Sequence, residues 1–189
     1  MTSYRRVYQS GGTYFFTVNL LDRRSSLLVD RIELLRQTVS AVRLELPFTI
    51  HAWVVLPDHM HALWTLPDGD CDFSTRWRLI KSRFSRGLRG FDSGSGSRRG
   101  RGEKSVWQRR FWEHLVRDDA DFERCFDYIH FNPVKHGHVD HVSDWPYSTF
   151  RSCVDAGLYP PEWRHVSGEF EGAFGERDEF RQDRRIRRG

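Results

Sequence analysis

The chain has 189 residues, of which 38% are hydrophobic and 30% charged, so it can bury one core and is too short for two full-sized domains. A mean hydropathy of -0.66, and no apolar run near the ~18 residues that span a bilayer, exclude a transmembrane helix. The net charge is only +4, but Arg76 to Arg110 holds twelve basic residues against Asp92 and Glu103, a local balance of +10 in an otherwise acidic chain. That asymmetry points to a surface that binds a polyanion.

In chain order, GGTYFFTVNLL predicts a first strand over about 13–20 after a Gly-Gly turn. Ile32, Leu35, Val39, Val42 and Leu46 recur at steps of three or four and predict a helix with Asp30 as N-cap and Pro47 as its stop. FTIHAWVVL and HMHALWTL, separated by Pro57-Asp58, predict a hairpin of the second and third strands. Phe73, Trp77, Ile80, Phe84 and Leu88 predict an amphipathic helix over 72–90 whose other face is basic. The Gly/Ser/Arg-rich stretch 91–105 predicts a mobile loop. VWQRRFWEHLV predicts a fourth strand, and a helix from Ala120 to Phe131 is expected to stop at Asn132-Pro133. WPYSTF reads as a short packed turn, and 164–189 as an irregular tail of mixed charge.

Strand, helix, strand, strand, helix, strand, helix is the order of an α+β domain, an antiparallel sheet with helices packed on one face in a ferredoxin-like split arrangement. The N-terminal MTSYRRVYQSGG lacks the apolar stretch of a signal peptide, so a cytoplasmic protein is expected. Cys71, Cys125 and Cys153 are odd in number and widely spaced, which argues against disulfides and a thiolate zinc site.

Alternation along the third strand sends His59 and His61 to one side and Met60 to the other, a spacing that suits a metal pair. H-x-H by itself is weak evidence in a chain with nine histidines. In the helix ending YIHFNP, Tyr128 and Asn132 are four apart and share a side. Two imidazoles and an amide oxygen can hold a divalent ion that polarises a phosphate, and a phenol can attack phosphorus in line. The plain alternative is that Tyr128 is an ordinary helix aromatic. On the same terms, His136, His138 and His141 form a His-rich turn, a satellite metal site or simply surface histidines; Asp58 is an acceptor for a neighbouring imidazole or a turn residue. The basic helix offers Arg76, Arg78, Lys81, Arg83 and Arg86 to phosphates, Arg98, Arg99 and Arg101 extend that surface into the loop, and Arg109 and Arg110 close it. Only three of the thirty cations are lysine, and Arg is the side chain that grips phosphate in a fork and stacks on bases.

HAWVVLPDHMHALW, followed by Y-I-H-x-N-P-V-K-H-G, resembles the REP-associated tyrosine transposases of the HUH single-tyrosine class, as do YRR, GGTYFFTVNL, VWQRRFWEH and DWPYSTF, over roughly residues 4–150. The resemblance implies a ferredoxin-like HUH domain over 1–150, with 151–189 as a C-terminal tail. It further implies a metal-dependent endonuclease and strand transferase acting on single-stranded DNA beside palindromic hairpins, monomeric or homodimeric and associated with the nucleoid. Carried over by position, His59, His61 and Asn132 bind Mg²⁺ or Mn²⁺ and Tyr128 is the nucleophile. A second function class keeps the same basic fold as a non-catalytic regulator that binds DNA hairpins.

Overall fold

The computed structural model describes residues 6–91 and 106–164. β1 (Thr13–Asn19), with five consecutive buried residues, has the most to cover and takes a place with a strand on each side. It pairs antiparallel with β3 (His59–Thr65), with Thr17 opposite His61 and Asn19 opposite His59, and with β4 (Trp112–Leu115) on its other edge. β2 (Thr49–Val55) completes the order β2-β3-β1-β4, so β3 is inserted between β1 and β2 as a split arrangement requires. β4 is shorter than the sequence suggests. Trp107 touches the sheet only as a bridge to Leu20, because its ring packs on Phe84 and its indole N–H donates to the Lys81 carbonyl.

The first predicted helix is two: α1 (Leu27–Asp30) and α2 (Ile32–Glu45). Asp30 is not an N-cap but the last residue of α1, where it accepts from the Ser26 hydroxyl at 2.5 Å. α2 and α3 (Phe73–Phe91) cover one face of the sheet, packing Leu35, Val42, Phe73, Trp77, Ile80 and Phe84 on Tyr14, Phe16, Met60, Ala62 and Trp64. Trp64 stacks on Trp77 at 4.7 Å and meets Phe48 at 4.1 Å. Each such aromatic contributes an upper bound of roughly 4–6 kcal/mol from the area it removes from water.

Helices lie on both faces, not on one. Phe15, Ala52, Val54 and Leu63 point away from α2 and α3, and α4 (Asp119–Lys135) covers them with Cys125, Tyr128 and Ile129. The cause is legible in β1, whose TYFFTV is apolar in both directions and needs cover on each side. α4 starts at Asp118, whose carboxylate accepts the Asp121 N–H at 2.8 Å. It does not stop before Pro133, which lies inside it. The proline removes one backbone donor, whereas the termination signal is Gly137 at φ 70°. There the Gly137 N–H reaches the Val134 carbonyl and the His138 N–H reaches the Pro133 carbonyl, a Schellman closure one turn later than the proline alone suggests.

The packed chain also continues past residue 150. A short 3-10 turn (Val142–Asp144) and α5 (Phe150–Asp155) bring Val142, Phe150, Cys153 and Tyr159 together against Phe126 and Phe131 of α4. WPYSTF runs beside β2, where the Val55 N–H donates to the Tyr147 carbonyl and the Trp53 N–H to the Thr149 hydroxyl. The expected loop, apart from Phe91, and the expected tail, apart from Arg164, lie outside the described residues. Among the described residues no helix is long and apolar enough to cross a membrane.

Where α5 meets α4, His130 is buried, 2.9 Å from the Thr149 hydroxyl. Burial lowers its pKa from the ordinary 6.5 to about 4, so it is neutral when folded at pH 7. The unfolded chain takes up this proton between pH 6.5 and 4 and the folded chain does not, so folding stability falls as pH drops through that window. The loss at His130 is on the order of 3 kcal/mol. Thermal melts from pH 7 to 4 should show that decline, and His130→Gln, less stable at pH 7, should show a shallower one; an unchanged slope would remove His130 from this account.

Candidate active site

β3 places His59 and His61 on the face covered by α4, with Leu63 in the same row and Met60 in the opposite core. Their rings are 5.1 Å apart and nearly perpendicular. Each imidazole is oriented through Nδ1. For His61 the partner is the Thr17 hydroxyl across the strand pair, at 2.9 Å. For His59 it is Asp58 Oδ1, at 2.7 Å, while Asp58 Oδ2 receives Arg23 Nε at 2.9 Å. Burial alone would raise the Asp58 pKa, but the hydrogen bond from His59 and the charges of His59 and Arg23 together hold it below its ordinary value. Arg23 also binds the Asn19 amide oxygen, which ties the turn to the end of β1.

α4 brings the phenol. Tyr128, 1% exposed, lies with its ring 5.4 Å from that of His61 and 5.9 Å from that of Phe15. Tyr128, Asn132 and His136 are spaced by four and form one stripe. Tyr128 meets His61 at one end, and at the other His136 meets His59 with ring centroids 5.1 Å apart. Asn132, between these two residues along the helix, is fully buried.

Two residues of this constellation had no role assigned from sequence. Lys135 donates to the Tyr128 hydroxyl at 2.7 Å, with Nζ 4.5 Å from the ring centroid. His136, read only as part of a His-rich turn, contacts His59, while His138 stacks on Trp145 at 5.2 Å. Both Lys135 and His136 follow Pro133, where the helix was expected to have ended. Spacing from Tyr128 was the available signal, at seven and eight residues along one helix face.

The donor set fits a divalent cation. With Nδ1 of both histidines engaged by Thr17 and Asp58, Nε2 is the ring atom that each would offer to a metal, and Asn132 would add an amide oxygen. Nitrogen donors favour Mn²⁺ over Mg²⁺ in such a set. A second cluster of ligand types, His114, Asp121 and Cys125, is an ion-pair network. Asp121 is bound by His114 at 2.7 Å, by Arg117 at 3.1 Å and by Arg124. Burial first and Asp121 second push the Cys125 thiol up to about 12, so it stays protonated.

The expected DNA-binding cations separate into groups. Arg76 is not at the surface: it is 1% exposed, pairs with Asp70 at 2.7 Å and donates to the carbonyls of Leu46, Pro47 and Asp72. It joins α3 to the end of α2. Arg83 makes a two-pronged contact with Glu45, at 2.7 and 2.5 Å. Arg78, Lys81 and Arg109 line one cavity, and Arg86 and Arg110 are exposed. Arg98, Arg99 and Arg101 lie outside the described residues.

No protein-family model matches the chain. It is 52% identical over 163 residues to the REP-associated tyrosine transposase of Escherichia coli K12, covering 86% of this chain and 91% of that one. A Haemophilus influenzae protein named for the same family is 44% identical over 167 residues, covering 86% and 93%. A solved structure, described as a REP-associated tyrosine transposase bound to a REP hairpin, superposes with a TM-score of 0.80 at 49% identity, over 90% of this chain and 96% of the other. Identity at this level, spread over nearly the whole of each partner and joined to the same backbone, shows that the chain belongs to the REP-associated tyrosine transposase family.

Proposed function

We propose that this chain is a metal-dependent single-strand DNA endonuclease and strand transferase that binds REP-type palindromic hairpins and cuts through a 5′-phosphotyrosine. The observation that carries the reading is the meeting, within one chain, of the Tyr128 ring with that of His61 and of its hydroxyl with Lys135. The relative solved with a REP hairpin supports the substrate class. A DNA substrate of this kind puts the protein in the cytoplasm, on the nucleoid.

His59, His61 and Asn132 would hold Mn²⁺ or Mg²⁺, and such an ion would supply charge to polarise the scissile phosphate. Asp58 and Thr17 fix the rings that carry it. The Tyr128 phenol proton ends on the departing 3′ oxygen, and the Lys135 ammonium stabilises the developing phenolate through its 2.7 Å hydrogen bond. The Tyr128 oxygen forms a bond to phosphorus as the bond to the 3′ oxygen breaks, and that oxygen leaves as a 3′-OH after taking up a proton. Attack by a second 3′-OH reverses the step without external energy, because the ester to tyrosine preserves the phosphodiester bond energy.

A hairpin oligonucleotide with single-stranded flanks, labelled at one end or the other, tests the reading. With Mn²⁺, the 3′ label should migrate with the protein in denaturing gels and the 5′ label should stay on a shortened free strand. Chelation should stop both. Binding without any adduct would instead leave a hairpin-binding regulator.

A further inference from the structure

α4 carries a third imidazole to the pair on β3. His136, its C-cap residue, meets the ring of His59 with centroids 5.1 Å apart and planes at 73°. His59 and His61 are also 5.1 Å apart, with planes at 86°. His59 therefore stands at one distance from two imidazoles, one on its own strand and one on the helix that covers it. Helix spacing accounts for the placement. Tyr128, Asn132 and His136 follow at steps of four, ~6 Å apiece along the axis, so the stripe that brings the phenol to His61 also brings an imidazole to His59. The His136 N–H donates to the Asn132 carbonyl at 3.0 Å, and the closure at Gly137 fixes the turn that carries the ring.

These separations suit rings that share one ion. An imidazole nitrogen ~2.1 Å from a cation puts its ring centroid ~3.2 Å away, so two such rings have centroids ~4.5 Å apart at a right angle and ~5.2 Å apart at the tetrahedral angle. Both pairs fall in that interval. The end of α4 adds the negative pole of a helix of 17 residues, which favours a cation there. His138 does not share the position: it stacks on Trp145, and its ring lies 6.2 Å from that of His136.

We infer that His136 is a further ligand of the divalent cation, so that the site offers three imidazoles and the Asn132 amide. The inference rests on the metal-dependent reading above and deepens it, because the number of protein donors decides which metal supports the reaction. Mn²⁺, with octahedral coordination, keeps two positions for oxygens of the phosphate. Zn²⁺ prefers four ligands, finds all of them in the protein and keeps none. Zn²⁺ therefore binds this site more tightly than Mn²⁺ and blocks it.

Pulsed electron paramagnetic resonance of Mn²⁺ on the full chain, with histidine labelled by ¹⁵N, counts the imidazoles bound to the ion. Three should be found in the parent and in His138→Ala, and two in His136→Ala, whose Mn²⁺ affinity by calorimetry should fall about 10-fold. His136→Gln repeats the count if the alanine variant melts early. Zn²⁺ should stop the Mn²⁺-supported adduct in the parent. Two imidazoles in the parent, three in a folded His136→Ala, an equal loss in His138→Ala, or an adduct that Zn²⁺ leaves untouched would each overturn the inference. An adduct formed with only two imidazoles on the ion removes His136 and keeps the transposase reading; three imidazoles without any adduct do the reverse.

Discussion

Replacing Tyr128 by phenylalanine is expected to abolish the covalent protein–DNA adduct, with cleavage falling by a factor on the order of 10⁴ or more, as loss of a nucleophile does elsewhere. The ring should stay in place. Phe keeps the edge contacts to Phe15 and His61 and the position beneath the Lys135 ammonium, so folding and hairpin affinity should be nearly unchanged. Only the hydroxyl that accepts from Lys135 is lost. Tyr159 is a poor substitute, because burial and its donation to Asp127 raise its pKa and keep its phenol protonated. An adduct that survives in Tyr128→Phe would move the nucleophile elsewhere and undo the proposed chemistry.

His59→Ala and His61→Ala should each weaken Mn²⁺ binding, read by calorimetry or electron paramagnetic resonance, by more than the ~10–100-fold that changes behind a metal ligand cost. Cleavage should fall in parallel. The two differ in collateral effect. His61 sits against Phe15 and Tyr128 with the Thr17 hydroxyl on Nδ1, so its removal leaves a void and takes one hydrogen bond from a buried hydroxyl. A lower melting temperature is therefore expected for His61→Ala. His59 gives up a bond to Asp58, which keeps Arg23, so that variant should melt closer to the parent. Mn²⁺ bound equally well by both variants would remove the imidazole pair from the metal site.

Much of this site is legible from residue spacing, because the two periods involved are simple. Alternation in HMH places both imidazoles on one side of a strand, and a step of four places Asn132 beside Tyr128. The structure follows both rules. Chain order also conveys the split sheet, but not the cover on its second face. A strand apolar in both directions, such as TYFFTV, signals that second layer, yet a helix of mixed composition such as α4 does not announce which face it will take. Lys135 and His136 escaped because Pro133 was read as a stop, whereas Gly137 supplies the stronger stop, a positive φ that closes two hydrogen bonds. Arg76 escaped for another reason. A helical wheel separates charged from apolar positions but cannot tell that four oxygens of neighbouring segments surround one guanidinium.

On the proposed chemistry, the approach of Tyr128 to His61 of its own chain would furnish each copy with the parts of one cutting centre and with one covalent handle. That handle can carry one 5′ end at a time. Passing a strand from one duplex terminus to another then calls either for two such centres working side by side or for a visiting 3′-OH that takes the seat its predecessor has vacated. In the second case the lifetime of the tethered end, rather than the speed of scission, sets how often strands are exchanged instead of simply resealed.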